Sequence, residues 1–284
     1  MKDFDILIIG GGAAGIAAAA GAYEAGCRSI AVVDRKAALG GVLLQCLHRG
    51  FGQNQNGPQY TEKLVQELPA EITFLDSTTV LSVTKEKIAC LSGGETIRFR
   101  QLVLAAGCRE IPMGALPIAG TRPEGIYTAG QMQELMNLYG YRPEGPAVIL
   151  GSGDLGLVMA NHLAQAGIAV TLVEKQSVCG GMARNQRCLE DRLIRLVCNA
   201  TVTEVLGRKT LEGCRLSTGE RVPCKTLLIA VGLIPDRELT AELGTPDWLH
   251  ICGNCNRVHP MVEAVVKEGI LAGMAAWKQK RGNV

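Results

Sequence analysis

The sequence predicts an α/β protein of two Rossmann-like units in tandem, and three observations carry that prediction. An apolar run, Phe4 to Ile9, opens directly into Gly10-Gly11-Gly12-Ala13-Ala14-Gly15. The same order returns at residues 147 to 156, where AVIL leads into Gly151-Ser152-Gly153-Asp154-Leu155-Gly156. Each loop precedes a helical stretch and a second apolar run ending in an acid, with Asp34 19 residues after Gly15 and Glu174 18 residues after Gly156. Strand, glycine turn, helix, strand and acid in that order make a dinucleotide-binding unit.

Taken in order, the isoleucine-rich run at 4 to 9 suits a buried parallel strand. An alanine-rich helix follows to Gly26, and SIAVVD forms the next strand. In the second copy the helix runs through LVMANHLAQAG and the strand through IAVTLVE. The repeat extends further, because a glycine pair begins six residues after each acid, at Gly40-Gly41 and Gly180-Gly181. LVLAAG ends at Gly107 and LLIAVG at Gly232, each before a Pro-containing segment. Matched landmarks on this scale make a single unit with a chance echo the poorer account.

Each glycine has a mechanical task. The first, Gly10 or Gly151, permits the tight turn out of the strand. The second, Gly12 or Gly153, lets backbone approach a pyrophosphate, and the third, Gly15 or Gly156, lets the helix pack on its strands. Free N–H groups at the helix starts, Ala13-Ala14 and Asp154-Leu155, face the phosphates. Asp34 and Glu174 stand where a carboxylate accepts hydrogen bonds from adenosine ribose hydroxyls. A carboxylate also repels a 2′-phosphate, so the second unit is expected to prefer NAD to NADP, with Lys175 beside Glu174 opposing that preference.

Composition narrows the class. The chain has 284 residues, 47% of them hydrophobic, enough for about two domains with sizeable cores. Lys and Arg number 29 against 27 Asp and Glu, a balance that points to a small-molecule partner rather than nucleic acid or an anionic membrane. Eleven irregularly spaced cysteines are read as mostly reduced, in a cytoplasmic protein. The apolar N-terminus is not read as a signal peptide, since Asp3, Asp5 and the triple glycine interrupt it, and it is too short for an integral membrane segment.

Two such units followed by a CGN segment and a final helix resemble the two-domain flavoproteins of the thioredoxin reductase and pyridine nucleotide-disulfide oxidoreductase superfamily. That resemblance implies that the first unit holds FAD, that the second holds NAD and is inserted into the first, and that the C-terminal segment returns to complete the flavin site. The implied domains are 1–115 and 240–284 for FAD and 116–239 for NAD. The stretches GGVLLQCLHRGFG, AAGCREIP, GSGDLGL and VGLIPDREL are similar to a bacterial clade that includes flavoprotein subunits of opine, sarcosine and cyanide-forming dehydrogenases and proteins accompanying glycerol 3-phosphate dehydrogenase-like enzymes. In that clade a second flavoprotein subunit commonly handles the organic substrate. Two departures stand out: QNQNG after GFG is short, and TAELGTPDWLHICGN lacks much of the hairpin expected before CGN.

The resemblance adds Arg35, Gly41, Val42, Ala106, Gly107, Gly253, Asn254, Pro260 and Met261 to the flavin site and Gly232 to the nicotinamide site. Pro260 is expected as the first residue of the last helix, a position where no N–H is missed. That helix start is expected to stabilise the negative charge of reduced flavin. Asn254, where many relatives carry Asp, is expected either to bond the ribityl or phosphate region or only to order its loop.

The redox cysteine pairs of disulfide reductases are missing at both of their family positions. Cys46, near His48, remains a candidate catalytic thiolate, and Cys252 with Cys255 forms a CxxC that packing explains better than redox does. His48, His162, His250 and His259 lack metal-ligand spacing, so no metal is expected, and His162 is read as a surface or half-buried residue. The reading is an FAD-dependent oxidoreductase that exchanges hydride with NAD(H) and passes electrons to an acceptor or to a second flavoprotein in the same complex. The alternatives are a single-cysteine disulfide or peroxide reductase and a non-catalytic nucleotide-binding member of such a complex.

Overall fold

The computed structural model describes residues 1–281, so the last three residues of the expected C-terminal segment lie outside the described residues. In chain order the elements that build the sites are β1 (Lys2–Ile9), α1 (Ala13–Glu24), β2 (Ile30–Val33), α2 (Gly57–Gln66) and β3 (Thr96–Leu104). Then come α3 (Ala129–Tyr139), β4 (Ala147–Leu150), α4 (Asp154–Gln165), β5 (Val170–Val173) and β6 (Thr226–Ile229). β7 (Leu249–Ile251) and α5 (Val262–Arg281) close the series. The class is α/β.

The chain divides into two compact units, Met1–Arg109 with Ile234 onward, and Glu110–Leu233. Glu110 groups with the second unit because its carboxylate accepts from the Thr128 hydroxyl and from the Gly130 N–H at 2.7 Å, closing the start of α3.

In the first unit β1 lies between β2 and β3, parallel to both, with Ile8 opposite Val32 and Val103. β7 joins β3 in parallel, Ile251 opposite Leu104, so the shortened segment before CGN still delivers a strand to this sheet. Alternate residues of β1 face opposite ways. Ile6 and Ile8 meet Ala14, Ala18 and Ala22 of α1 and Ala276 of α5, whereas Leu7 and Ile9 meet Val83, Leu91, Phe99 and Trp248. Burying each of these large side chains contributes roughly 1.5–3 kcal/mol.

The second unit repeats the plan. β4 lies between β5 and β6, parallel to both, inside a five-stranded sheet. Ala147 and Ile149 face Leu157 and Leu163 of α4, while Val148 and Leu150 face the small antiparallel strands through Val202, Val205, Cys214 and Leu216. In the second unit the sheet is thus packed between helices and a separate antiparallel sheet, whereas in the first the antiparallel strands continue the same seven-stranded sheet.

The helix pair of the first unit approaches to backbone contact. A methyl group on Gly21 would collide with the carbonyl of Ile270, one on Gly269 with that of Ala14, and one on Gly273 with that of Ala18. The alanines of α1 keep that face low enough for α5 to settle on it. Gly273→Ala is therefore expected to destabilise the protein by roughly 3 kcal/mol through overpacking, whereas Gly114→Ala, which meets open space, should stay within about 0.5 kcal/mol. Denaturant unfolding of the two variants measures the difference.

Candidate functional site

The two glycine loops share one construction. A side chain on Gly10 would strike the carbonyl of Ala105, and one on Gly15 the carbonyl of Gly10. In the second unit Gly151 is packed on the Ala230 carbonyl and Gly156 on that of Gly151. The middle glycine differs. A Cβ on Gly12 would come no closer than 4.0 Å to Gly41 Cα, and one on Gly153 meets nothing within 4 Å. Gly12 and Gly153 are the N-caps of α1 and α4, and neither helix start has a side-chain cap. Open space over a run of helix-start N–H groups suits a bound pyrophosphate, because the helix dipole favours negative charge there.

The acids hold these loops in place. Asp34 Oδ2 accepts the Gly11 N–H at 2.6 Å and Oδ1 the Lys36 N–H at 2.7 Å. Glu174 Oε2 accepts the Ser152 N–H at 2.9 Å, and Oε1 accepts the Gln176 N–H at 2.9 Å. Ser152 is fully buried and was not anticipated from the sequence. Its hydroxyl donates to Glu174 Oε2 at 2.6 Å and accepts the Gly180 N–H at 2.8 Å, clasping acid, loop and glycine pair together. In the first unit the Gly40 N–H reaches the Gly11 carbonyl directly, at 2.7 Å. Serine in the second position of GSGDLG was the available signal. Burial pushes the Glu174 carboxyl up, but the hydrogen bonds from Ser152, Gln176 and Lys175 outweigh it, and the acid lies below its ordinary range. Both acids therefore shape the loop as well as standing beside the expected ribose position.

Other predicted residues fall around these loops. Ala13 and Ala14 are buried in the first turn of α1, while Arg35 and Ala106 are exposed. Gly41, with φ +54°, starts a short 3₁₀ turn, and Val42 in it is 60% exposed. Gly107 and Gly232 both have positive φ, +81° and +142°, at the ends of the strands that follow each repeat. Leu155 packs into the core of its own unit. Asp154 Oδ1 accepts the Met182 N–H at 2.8 Å and the Asn185 side-chain amide at 2.6 Å, fixing the segment after the second glycine pair.

The C-terminal return is more strongly tied than the sequence suggests. α5 begins at Val262, two residues beyond Pro260, so proline is not its first residue. The chain before it is held out of the helix: the His259 N–H donates to Asn254 Oδ1 at 3.0 Å, and His259 Nε2 lies 2.7 Å from Glu268 Oε2. Met261 stands 37% exposed ahead of the helix. Asn254 therefore does order its loop through Oδ1, and its Nδ2 is a donor not used in that bond. On the other side Arg237 donates to the carbonyl of Cys255 at 2.6 Å and to that of Asn256. Glu268, His259 and Arg237 carried no signature in the sequence.

The three cysteines that the sequence singles out are all buried. Cys46 is buried, donates to the Val42 carbonyl at 3.3 Å, and burial pushes its thiol up to about 12. A nucleophilic cysteine needs a lowered pKa, and burial moves Cys46 in the opposite direction. Cys252 and Cys255 are both fully buried free thiols, raised by burial, and the Cys255 thiol donates to the Leu104 carbonyl at 3.0 Å. His162 in α4 is half-buried, and burial lowers its pKa. No group of three or more potential metal ligands occurs among the described residues, and no described helix is long and apolar enough to cross a membrane.

Comparison with known proteins follows the same lines. The family model for pyridine nucleotide-disulphide oxidoreductases matches residues 4–247. An opine oxidase subunit from Agrobacterium tumefaciens is 26% identical, over 86% of this chain and 55% of its own length. Hydrogen cyanide synthase subunit HcnB from Pseudomonas protegens is 26% identical, over 84% of this chain and 58% of its own. The chain thus spans somewhat more than half the length of these curated relatives. Among solved structures, thioredoxin reductase from T. acidophilum superposes with a TM-score of 0.81 at 20% identity, covering 99% of this chain and 100% of that one. L-proline dehydrogenase from P. horikoshii gives 0.75 at 20% identity, over 99% of this chain and 56% of that one, and likenesses at this identity speak for the fold. With a family match across most of its length and a shared fold, the chain belongs to the pyridine nucleotide-disulphide oxidoreductases, a family of FAD- and NAD(P)-dependent oxidoreductases.

Proposed function

We propose that this protein is an FAD-dependent oxidoreductase that exchanges hydride with NAD(H) and passes electrons to an acceptor or to a partner dehydrogenase subunit. The first unit holds FAD and the second NAD(H). The observation that carries this reading is the duplicated open glycine: Gly12 and Gly153 are the only members of their triplets with room above them, each at an uncapped helix start. FAD, when bound, supplies the site at which a hydride is gained and lost. The chain itself works by positioning and charge. The α1 start and Gly12 take one pyrophosphate, the α4 start and Gly153 the other. Asp34 and Glu174 receive the adenosine riboses, and their carboxylates are already oriented by backbone N–H donors. Exposed Val42 and Met261 and the Asn254 amide complete the flavin side. A single-cysteine reductase is disfavoured by the buried, high-pKa Cys46. The opine and cyanide-forming relatives, named as subunits, support electron exchange with a partner subunit.

Three outcomes test this. Gly12→Val and Gly153→Val should both fold, because a Cβ at either position meets nothing closer than 4.0 Å. The first should lose FAD, and the second should stay yellow yet resist reduction by NADH. Absorbance of the purified variants under anaerobic NADH decides it, and loss of flavin from folded Gly153→Val would reverse the assignment of units.

NADH should reduce the wild-type flavin with kcat/KM at least about tenfold above NADPH, since a ribose-facing carboxylate opposes the added phosphate. Glu174→Ala should narrow that gap mainly by slowing NADH, because it also leaves the Ser152 N–H and hydroxyl without their acceptor. Stopped-flow reduction with both nucleotides measures it, and equal wild-type rates contradict the ribose role.

Cys46→Ser should keep flavin binding and NADH-driven reduction near wild type. Burial pushes the Cys46 thiol up to about 12, so it stays protonated at pH 8. Peptide mapping after brief iodoacetamide treatment of the native protein should find Cys46 unmodified, and rapid alkylation there would revive the thiol mechanism.

A further inference from the structure

We infer that Glu268 is a positioning residue of the flavin site, which with His259 locks the loop between β7 and α5 so that Asn254 faces the dinucleotide as a hydrogen-bond donor. The inference rests on the proposal that the first unit holds FAD.

One carboxylate gathers donors from the whole length of this loop. Glu268 Oε2 accepts the Gly253 N–H at 2.9 Å and faces His259 Nε2 at 2.7 Å, while Oε1 accepts from the Asn256 side-chain amide. Only 7% of the His259 side chain and 25% of the Glu268 side chain are exposed. Although burial raises the Glu268 carboxyl, hydrogen bonds from Asn256, His259 and Gly253 and the charge of His259 hold it below its ordinary range. An ionised carboxylate only accepts, so Asn256 must present its NH₂ and His259 must carry a proton on Nε2. The orientation of both side chains is thereby set by a residue one turn and a half inside the helix.

The consequence passes through His259 to the ligand side. Its backbone N–H engages Asn254 Oδ1 at 3.0 Å, which fixes the amide's orientation and keeps the Nδ2 donors for a ligand. A donor there matches ribityl or phosphate oxygens. The loop also sits against the turn that takes the pyrophosphate: Gly253 has φ +67°, and a Cβ on it would stand 2.6 Å from Ala14 Cβ in the first turn of α1. Displacing Gly253 would therefore displace the wall of the pyrophosphate site. Arg237 anchors the far side of the loop at Cys255 and Asn256, so Glu268 is the anchor supplied by α5.

The test uses purified full-length protein freed of flavin, titrated with FAD by fluorescence quenching and, in parallel, with NADH. Glu268→Gln, which keeps the shape but places a donor among donors, should weaken FAD binding about tenfold or more and leave NADH affinity within about twofold. The visible circular dichroism of the saturated flavin should change. His259→Gln, which keeps a donor toward Glu268, should bind FAD within about threefold of wild type, and His259→Leu should lose affinity as Glu268→Gln does. Wild-type FAD affinity in folded Glu268→Gln overturns the inference, as does an equal loss for NADH, which would mark general loosening. If Glu268→Gln does not fold, His259→Leu decides alone, unchanged affinity counting against the inference and weakened FAD binding for it. Wild-type protein that binds NADH but no FAD would instead overturn the assignment of FAD to the first unit.

Discussion

A glycine pressed against a backbone carbonyl is the contact on which both halves of this chain depend. Gly15 lies on Gly10, and Gly10 on Ala105; Gly156 lies on Gly151, and Gly151 on Ala230. These contacts bring the helix start down onto the end of the central strand, closer than any side chain permits. The middle glycine is then left with open space above it, at a helix start that no side chain caps. The proposed function follows from a packing requirement: the positions that must be glycine for the helix to sit also leave its start uncapped beneath open space.

The acids close the same structure from the neighbouring strand. Asp34 and Glu174 each bind the second residue of their loop and the residue two further along their own chain. The correspondence continues beyond them, since the Ser77 N–H reaches the Lys36 carbonyl just as the Asn199 N–H reaches that of Gln176. The copies differ where the second loop residue differs. Gly11 offers only backbone, whereas Ser152 adds a hydroxyl that donates to the acid and accepts from the glycine pair. The carboxylate of the second unit is consequently the more enclosed of the two, buried where Asp34 is half-exposed.

Around this frame the chemistry is assigned to charge and position rather than to a reactive side chain. Eleven cysteines give the composition of a thiol enzyme, yet Cys46, Cys252 and Cys255 are all raised by burial, and Cys214 and Cys224 sit 3.6 Å apart deep in the second unit's core. Such cysteines act as small apolar residues.

The sequence by itself determined the α/β class, the duplication, the glycine triplets and the two acids, because each is written in spacing along a single strand, turn and helix. The same locality explains why Gly269 and Gly273, four residues apart on one face of α5, were readable as small but not as partners of Ala14 and Ala18. Only the tertiary structure decided what lies across the chain. Ser152 becomes a clasp because Glu174 is 22 residues away, and Glu268 an anchor because Gly253 is 15 residues away. Pro260 carries a helix-start signature, yet the helix starts at Val262, since bonds from His259 to Asn254 and Glu268 hold the preceding backbone elsewhere. Cys46 likewise looks like a candidate nucleophile in one dimension, whereas in the fold burial pushes its thiol up to about 12. Hydrogen bonds between distant segments and desolvation leave no periodicity in the sequence, and in this protein they set the charge and orientation of the groups around both loops.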